Sequence, residues 1–215
     1  MMGINLTSGG SLQWWVDSVI RGLKGVSEKK RYAEATAEAQ AVAAGSNGLL
    51  FLPYLNGERT PHADPNARGS FVGLNLAHTR GHLTRSVMEG VTFALKDSLD
   101  IIQSLNVPVR QIRASGGGSK NPFWRQMQAD IFGKKITTLA VEQGPAYGVA
   151  LLAAVGDGRF RSIEQACKAT IEVADQTPPN RSAIKAYNEL FPVYQKAYLQ
   201  LKDSMHKLAD LQANH

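Results

Sequence analysis

The sequence predicts an α/β layered fold with a partly parallel sheet, and three observations carry that prediction. Segments with helical apolar spacing alternate with short β-branched runs. Clusters of glycine, asparagine and proline separate them. In the middle, a strand-like run passes through three glycines directly into a helical pattern. At 215 residues, with 43% hydrophobic and 20% charged positions, the chain can bury a core without a disulfide or a metal. The lone Cys167 has no internal partner, which points to a reducing cytosol.

The elements follow in order. After Gly9 and Gly10, Leu12, Trp15, Val16, Val19 and Ile20 recur at helical spacing. A second helix is expected over 27–44, stopped by the turn signal Gly45-Ser46-Asn47-Gly48. LLFLP (49–53) reads as a short buried strand ended by Pro53, and 54–69 as a long irregular loop with two prolines, of the kind that is often functional. A strand is expected over 69–76. The clearest helix covers 82–105, with Leu83, Val87, Val91, Leu95, Leu99 and Ile102 on one face. A strand over 111–115 leads into the glycines, and a helix over 122–132 opens on Pro122, whose missing N–H is harmless in a first turn. KKITTLAV (134–141) is strand-like. The small residues of 144–155 suit a closely packed helix, and Ser162 with Gln165 resembles a capping box. A last helix over 182–211 carries a Tyr-rich apolar stripe read as core packing, with Pro192 expected to kink or divide it.

No apolar run approaches the ~20 residues of a membrane helix. The opening MMGINLTSGGSLQWW lacks a basic segment followed by an apolar one, so no signal peptide is expected and the location expected is cytoplasmic. The net charge of +6 raises anionic ligands or nucleic acid as partners, but the basic residues are scattered. Their one dense run, Glu28-Lys29-Lys30-Arg31, is expected on a solvated helix face, and no basic patch is interleaved with aromatics.

The glycines carry the chemical question. Gly116, Gly117 and Gly118 sit between strand and helix, where backbone can approach an anion and helix N–H groups can meet it. The segment is neither GxGxxG nor a Walker A loop, so composition leaves a tight turn and a phosphate cradle equally open. His62, His78, His82, His206 and His215 are not spaced as metal ligands. No G-x-S-x-G elbow exists; His62 and Asp64 are expected in a solvated loop.

Taken in order, LLFLPYLNGERTPHADPNARGSFVGLN, HLTRSVMEGVTFALKDSLDII, ASGGGSKNPFWRQMQADIFGKKI and EQGPAYGVALLAA closely resemble the C-terminal half of the FGGY carbohydrate kinases. One signature of that family is legible here: Gly69, Phe71, Gly73 and Leu74, then seven residues, then His82, Leu83, Ser86 and Glu89. The resemblance implies an actin-like, ribonuclease-H-like fold, of which this chain is the C-terminal domain only: a mixed sheet flanked by helices, with a helical extension over about 182–212. It implies ATP with Mg2+ as cofactors, held at Gly9, Gln13, Gly117 and Asn121 with Gly116 and Gly118 beside them. It implies phosphorylation of a sugar, D-xylulose first, with gluconate, ribulose, fuculose and glycerol as alternatives.

The departures are as informative. The family's N-terminal sugar-binding half, its Asp-x-Gly-Thr loop and its catalytic aspartate have no counterpart in the sequence; Asp17, Asp64, Asp97, Asp100 and Asp130 do not match that base. Phosphoryl transfer depends on positioned phosphates, metal and nucleophile, so the chain is expected to be a fragment, inactive alone. The partners expected are ATP and ADP, a sugar met mainly through the absent half, and a second copy in a homodimer, with neither nucleic acid nor membrane. A non-catalytic nucleotide-binding or assembly module is the rival. Glu58, Arg59 and His62 either border the cleft or serve only the loop; the sequence leaves both open.

Overall fold

Residues with positive φ, among them Gly45, Gly73, Asn106 and Gly133, stand at the ends of several elements in the computed structural model, which describes residues 3–20, 26–140 and 144–213. Helix α1 (Ser8–Trp14) runs into a π-helical turn (Trp15–Val19), followed by α2 (Glu28–Gln40). Strands β1 (Leu50–Leu52) and β2 (Ser70–Val72) pair antiparallel on either side of the long loop. Helix α3 (Arg80–Ser104) leads to β3 (Ile112–Arg113), the turn α4 (Gly117–Lys120), α5 (Pro122–Phe132) and β4 (Ile136–Leu139). Then come α6 (Gly144–Gly156), α7 (Ile163–Thr170), β5 (Val173–Thr177) and the long α8 (Arg181–Ala213). The second sheet has the order β3-β4-β5, parallel between β3 and β4 and antiparallel between β4 and β5. It is the mixed sheet the sequence predicts.

The core lies between α3, β1, α5 and α8. Phe51, Leu52, Tyr54, Val87, Met88, Phe93, Met127 and Tyr194 are each at most 2% exposed. α3 approaches β1 so closely that a Cβ on Gly90 would stand 2.0 Å from the carbonyl oxygen of Phe51. Beside that contact lies a buried polar cluster. The Glu89 carboxylate accepts the Gly45 N–H (2.9 Å), the Ser46 hydroxyl (2.7 Å), Arg85 Nε (2.7 Å) and the Tyr187 hydroxyl (2.8 Å). It ties the turn after α2, α3 and α8 together, and every one of these groups satisfies another.

Several expectations change. Gly9 and Gly10 lie inside α1 rather than ahead of it. The strand over 69–76 shortens to three residues because Gly73, at φ +91°, turns the chain against the Gly48 carbonyl. β5 was not expected, since four of its five residues are exposed and no apolar alternation marks it. Pro192 does not divide α8: the buried Tyr187, Phe191, Tyr194 and Tyr198 anchor the helix on both sides of it. α6 is not closely packed, and Val149 (65%) and Leu152 (61%) face outward. Arg31 is not simply solvated, because it pairs with Asp17 at 3.0 Å.

The loop over 54–69 is not solvated either. Asp64 is buried and accepts from the Tyr198 hydroxyl (2.7 Å), from His206 Nε2 (2.8 Å) and from the Asn66 N–H (2.9 Å). Burial opposes its ionisation, yet these hydrogen bonds hold the carboxyl down at about 2. His62 stacks on Tyr198 with centroids 3.6 Å apart, and burial pushes the imidazole down to about 4. Glu142 and Gln143 of the block EQGPAYGVALLAA, and His215, lie outside the described residues.

Candidate functional site

The glycine segment is built from its own backbone outward. β3 ends as the Ala114 N–H donates to the Thr137 carbonyl at 2.9 Å. Gly116 then takes φ +82°, a left-handed conformation that a side chain would strain. Gly117–Lys120 closes a short helical turn in which the Ser119 N–H and hydroxyl both donate to the Gly116 carbonyl. Asn121 caps the next helix: its Oδ1 accepts from the N–H groups of Phe123 (3.0 Å) and Trp124 (3.3 Å). Its Nδ2 donates to Thr36 Oγ1 on α2 at 3.2 Å. Trp124 in turn donates its indole N–H to Thr92 on α3 at 3.0 Å, so the turn rests on the core.

Two cavities flank this turn. One, of about 890 Å³, opens between α2 and the glycines; Tyr32 and Thr36 line it from α2, Gly9 and Leu12 from α1, Gly117 and Asn121 opposite. The other, of about 500 Å³, lies on the far side of the turn, over Val91, Leu95 and Leu99 of α3, with Ser8 and Gln128 at its edge. Gly9, Gly117, Gly118 and Trp124 belong to both. A Cβ placed on Gly9 or Gly117 would meet no atom within 4 Å. Neither glycine is demanded by packing, and α1 is weaker for having one in its interior. What both leave is bare backbone at the rim of a cleft.

The larger cavity suits an anionic, partly aromatic ligand. Lys29 and Lys120 line it, no carboxylate does among the described residues, and Tyr32, Phe123 and Trp124 supply aromatic surface. Burial, then Asp17 and Glu28, push the Tyr32 hydroxyl upward, so it remains a neutral donor at pH 7.

Of the residues expected to hold a nucleotide, Gly9, Gly117, Gly118 and Asn121 come together here. Gln13 is exposed on α1 outside the lining of both cavities, and Gly116 makes the turn without lining either. Tyr32, Thr36 and Trp124 went unrecognised in the sequence. Tyr32 and Thr36 stand four apart on one helix face, but only the fold places that face opposite the glycines. Glu58, Arg59 and His62 line neither cavity.

The profile described as the FGGY family of carbohydrate kinases, C-terminal domain, matches residues 1–156. The chain belongs to this family. It is 40% identical over 202 residues to the xylulose kinase of Bacillus subtilis, covering 94% of this chain and 39% of that one. The crystal structure of xylulose kinase from Rhodospirillum rubrum superposes with a TM-score of 0.83 at 28% identity, covering 95% of this chain and 40% of its own. That of gluconate kinase from Lactobacillus acidophilus gives 0.83 at 32% identity, covering 93% and 39%. The chain thus spans about two-fifths of the length of the relatives it matches.

FGGY membership makes the fold the actin-like ATPase domain that the resemblance implied. It also gives the signature a physical meaning in this chain. Glu89 and its neighbour Gly90 sit in the polar cluster and the α3–β1 contact, while Gly73 turns the chain out of β2. The FGGY signature here lies in the frame, away from the cleft. Among the described residues, no three of His, Cys, Asp and Glu gather as metal ligands, and no helix is long and apolar enough to cross a membrane.

Proposed function

We propose that residues 1–215 are the nucleotide-binding, C-terminal portion of a cytoplasmic sugar kinase. The whole enzyme would transfer the terminal phosphoryl group of Mg-ATP to the 5-hydroxyl of D-xylulose. The observation that carries the reading is the open space at Gly9 and Gly117, on both sides of one cleft in an FGGY domain. The glycines let phosphates reach backbone N–H groups, Lys29 and Lys120 complement their charge, and Tyr32 with Trp124 offers apolar surface to a base. Asn121, whose amide is engaged on both sides, orients α5 and ties it to α2. Mg2+ would arrive with the ATP phosphates rather than on ligands of this chain, and would supply positive charge against the charge that develops during transfer.

The relatives' additional length is where the sugar pocket and the catalytic aspartate are expected, with α8 as the extension over about 182–212. The exposed apolar face of α6 supports a larger whole. D-xylulose follows the names of the similar proteins; the equally good superposition on a gluconate kinase keeps gluconate as the alternative.

Calorimetric titration of ATP into the chain tests the reading. Wild type is expected to bind, and Gly117→Val to lose binding at an unchanged melting temperature, since its side chain enters open space. No binding by wild type, or equal binding by the variant, overturns the assignment. Loss of affinity in Gln13→Ala would bring the exposed amide into the contact. A coupled assay is expected to find weak or no xylulose-dependent ATP turnover by residues 1–215; robust turnover would refute the need for another half.

A further inference from the structure

The segment that leads into α1 is hydrogen-bonded to the loop over 54–69, and one buried carboxylate links the two. Residues 4–7 lead into α1 along that loop, bending at Leu6 and Thr7. The Ile4 N–H donates to Thr60 Oγ1 and its carbonyl accepts the Thr60 N–H, both at 3.0 Å. Asn5 Nδ2 reaches the Thr60 carbonyl at 2.9 Å, and Asn5 Oδ1 accepts from Ser98 of α3 at 3.1 Å. The Thr7 hydroxyl donates to the Pro53 carbonyl, and the Thr7 carbonyl accepts the Ser11 N–H in the first turn of α1.

At the centre stands Glu58, 2% exposed. Its Oε1 accepts both the Leu6 N–H at 2.9 Å and the Arg59 N–H at 2.8 Å, while Oε2 faces Asn5 Nδ2 at 3.4 Å. Two residues beyond Leu6 is Ser8, which lines one cavity, and then Gly9, which lines both. Glu58 itself lines neither, and no cation pairs with it among the described residues. A carboxylate buried without a cation is costly unless donors satisfy it; here the Leu6 N–H and Asn5 Nδ2 come from the segment that leads into α1, and the Arg59 N–H comes from the loop itself.

We infer that Glu58 is a positioning residue for the nucleotide cleft: through Leu6 and Asn5 it fixes where Ser8 and Gly9 stand opposite Gly117. The inference rests on the nucleotide reading of that cleft. Glu58→Ala removes both acceptors. Glu58→Asp keeps the charge but withdraws it by one methylene from Leu6. Glu58→Gln keeps an oxygen that can serve Leu6 and Arg59.

Two measurements on residues 1–215 decide it: calorimetric titration of ATP, and amide hydrogen exchange at Leu6 and Ser11. Glu58→Ala and Glu58→Asp are expected to weaken ATP binding by about tenfold or more and to speed exchange at both amides, while Glu58→Gln stays within about threefold of wild type. Unchanged affinity in both Ala and Asp variants, even with a lowered melting temperature, makes Glu58 a stability residue and overturns the inference. If Glu58→Ala does not fold, Glu58→Asp decides alone. If wild type binds no ATP, the nucleotide reading fails separately; exchange at Leu6 and Ser11 then still decides the clamp, which unchanged rates in Glu58→Asp would overturn.

Discussion

Two groups of glycines in this chain do opposite work. At Gly90 and Gly81, helix α3 presses against backbone: a Cβ would stand 2.0 Å from the Phe51 carbonyl oxygen and 2.6 Å from that of Glu38. At Gly9, Gly10 and Gly117 a Cβ would meet nothing within 4 Å. In the first group glycine lets the protein touch itself; in the second it leaves room for something else. The residue type is the same, and only the surroundings separate a packing requirement from open space.

The sharpest way to break this distinction is Gly90→Ala. It is expected to destabilise the fold by about 3 kcal/mol or more, because the blocking atom is backbone on a buried strand and cannot step aside. Denaturant unfolding reads this directly, and a cost under about 1 kcal/mol would mean that α3 can shift away from β1.

The next test probes the frame through its charge. Asp97 on α3 is buried; Gln195 donates to Oδ1 at 2.6 Å, but Oδ2 has no hydrogen-bond partner among the described residues. Burial pushes its carboxyl up to about 6, with Asp100 adding to the effect. A folded-state value above the unfolded one of about 3.9 means that the fold favours the protonated form. That contribution is complete below about pH 4 and fades as pH rises through about 6. Asp97→Asn is therefore expected to be more stable than wild type at pH 8 by about 1–3 kcal/mol, with the gain vanishing near pH 4. Melting curves at the two pH values check it, and an equal effect at both would remove the ionisation from the account.

The smallest effect concerns the open glycines. Gly10→Ala is expected to stabilise α1 by about 0.5–1 kcal/mol, since alanine favours the helix and its methyl meets no neighbour. A loss of stability there would show that the space is needed by the fold itself, and the contrast with Gly90 would weaken.

Much of the frame was readable because local physics fixes it. The helix over 122–132 begins at Pro122 behind the Asn121 cap and ends at Gly133 in the left-handed region, as its residues dictate. The Tyr stripe of α8 and the buried run of β1 followed from spacing and hydrophobicity. β5 was not readable, because a strand of exposed residues exists only where β4 offers an edge. The loop over 54–69 looked solvated because its polar residues find partners more than a hundred positions away, in Tyr198 and His206.

The candidate site divides the same way. The sequence by itself determined the family and the passage from strand through three glycines into a helix, because these depend on order and local conformation. Only the tertiary structure decided which glycines face open space, that Asn121 spends its amide on capping α5 and holding α2, that Tyr32 and Trp124 line the cavity beside the glycines, and that Glu58 is buried against the segment leading into α1. Those facts depend on which surfaces meet across long stretches of chain, where burial and unsatisfied hydrogen-bonding groups, rather than local propensity, choose the partners.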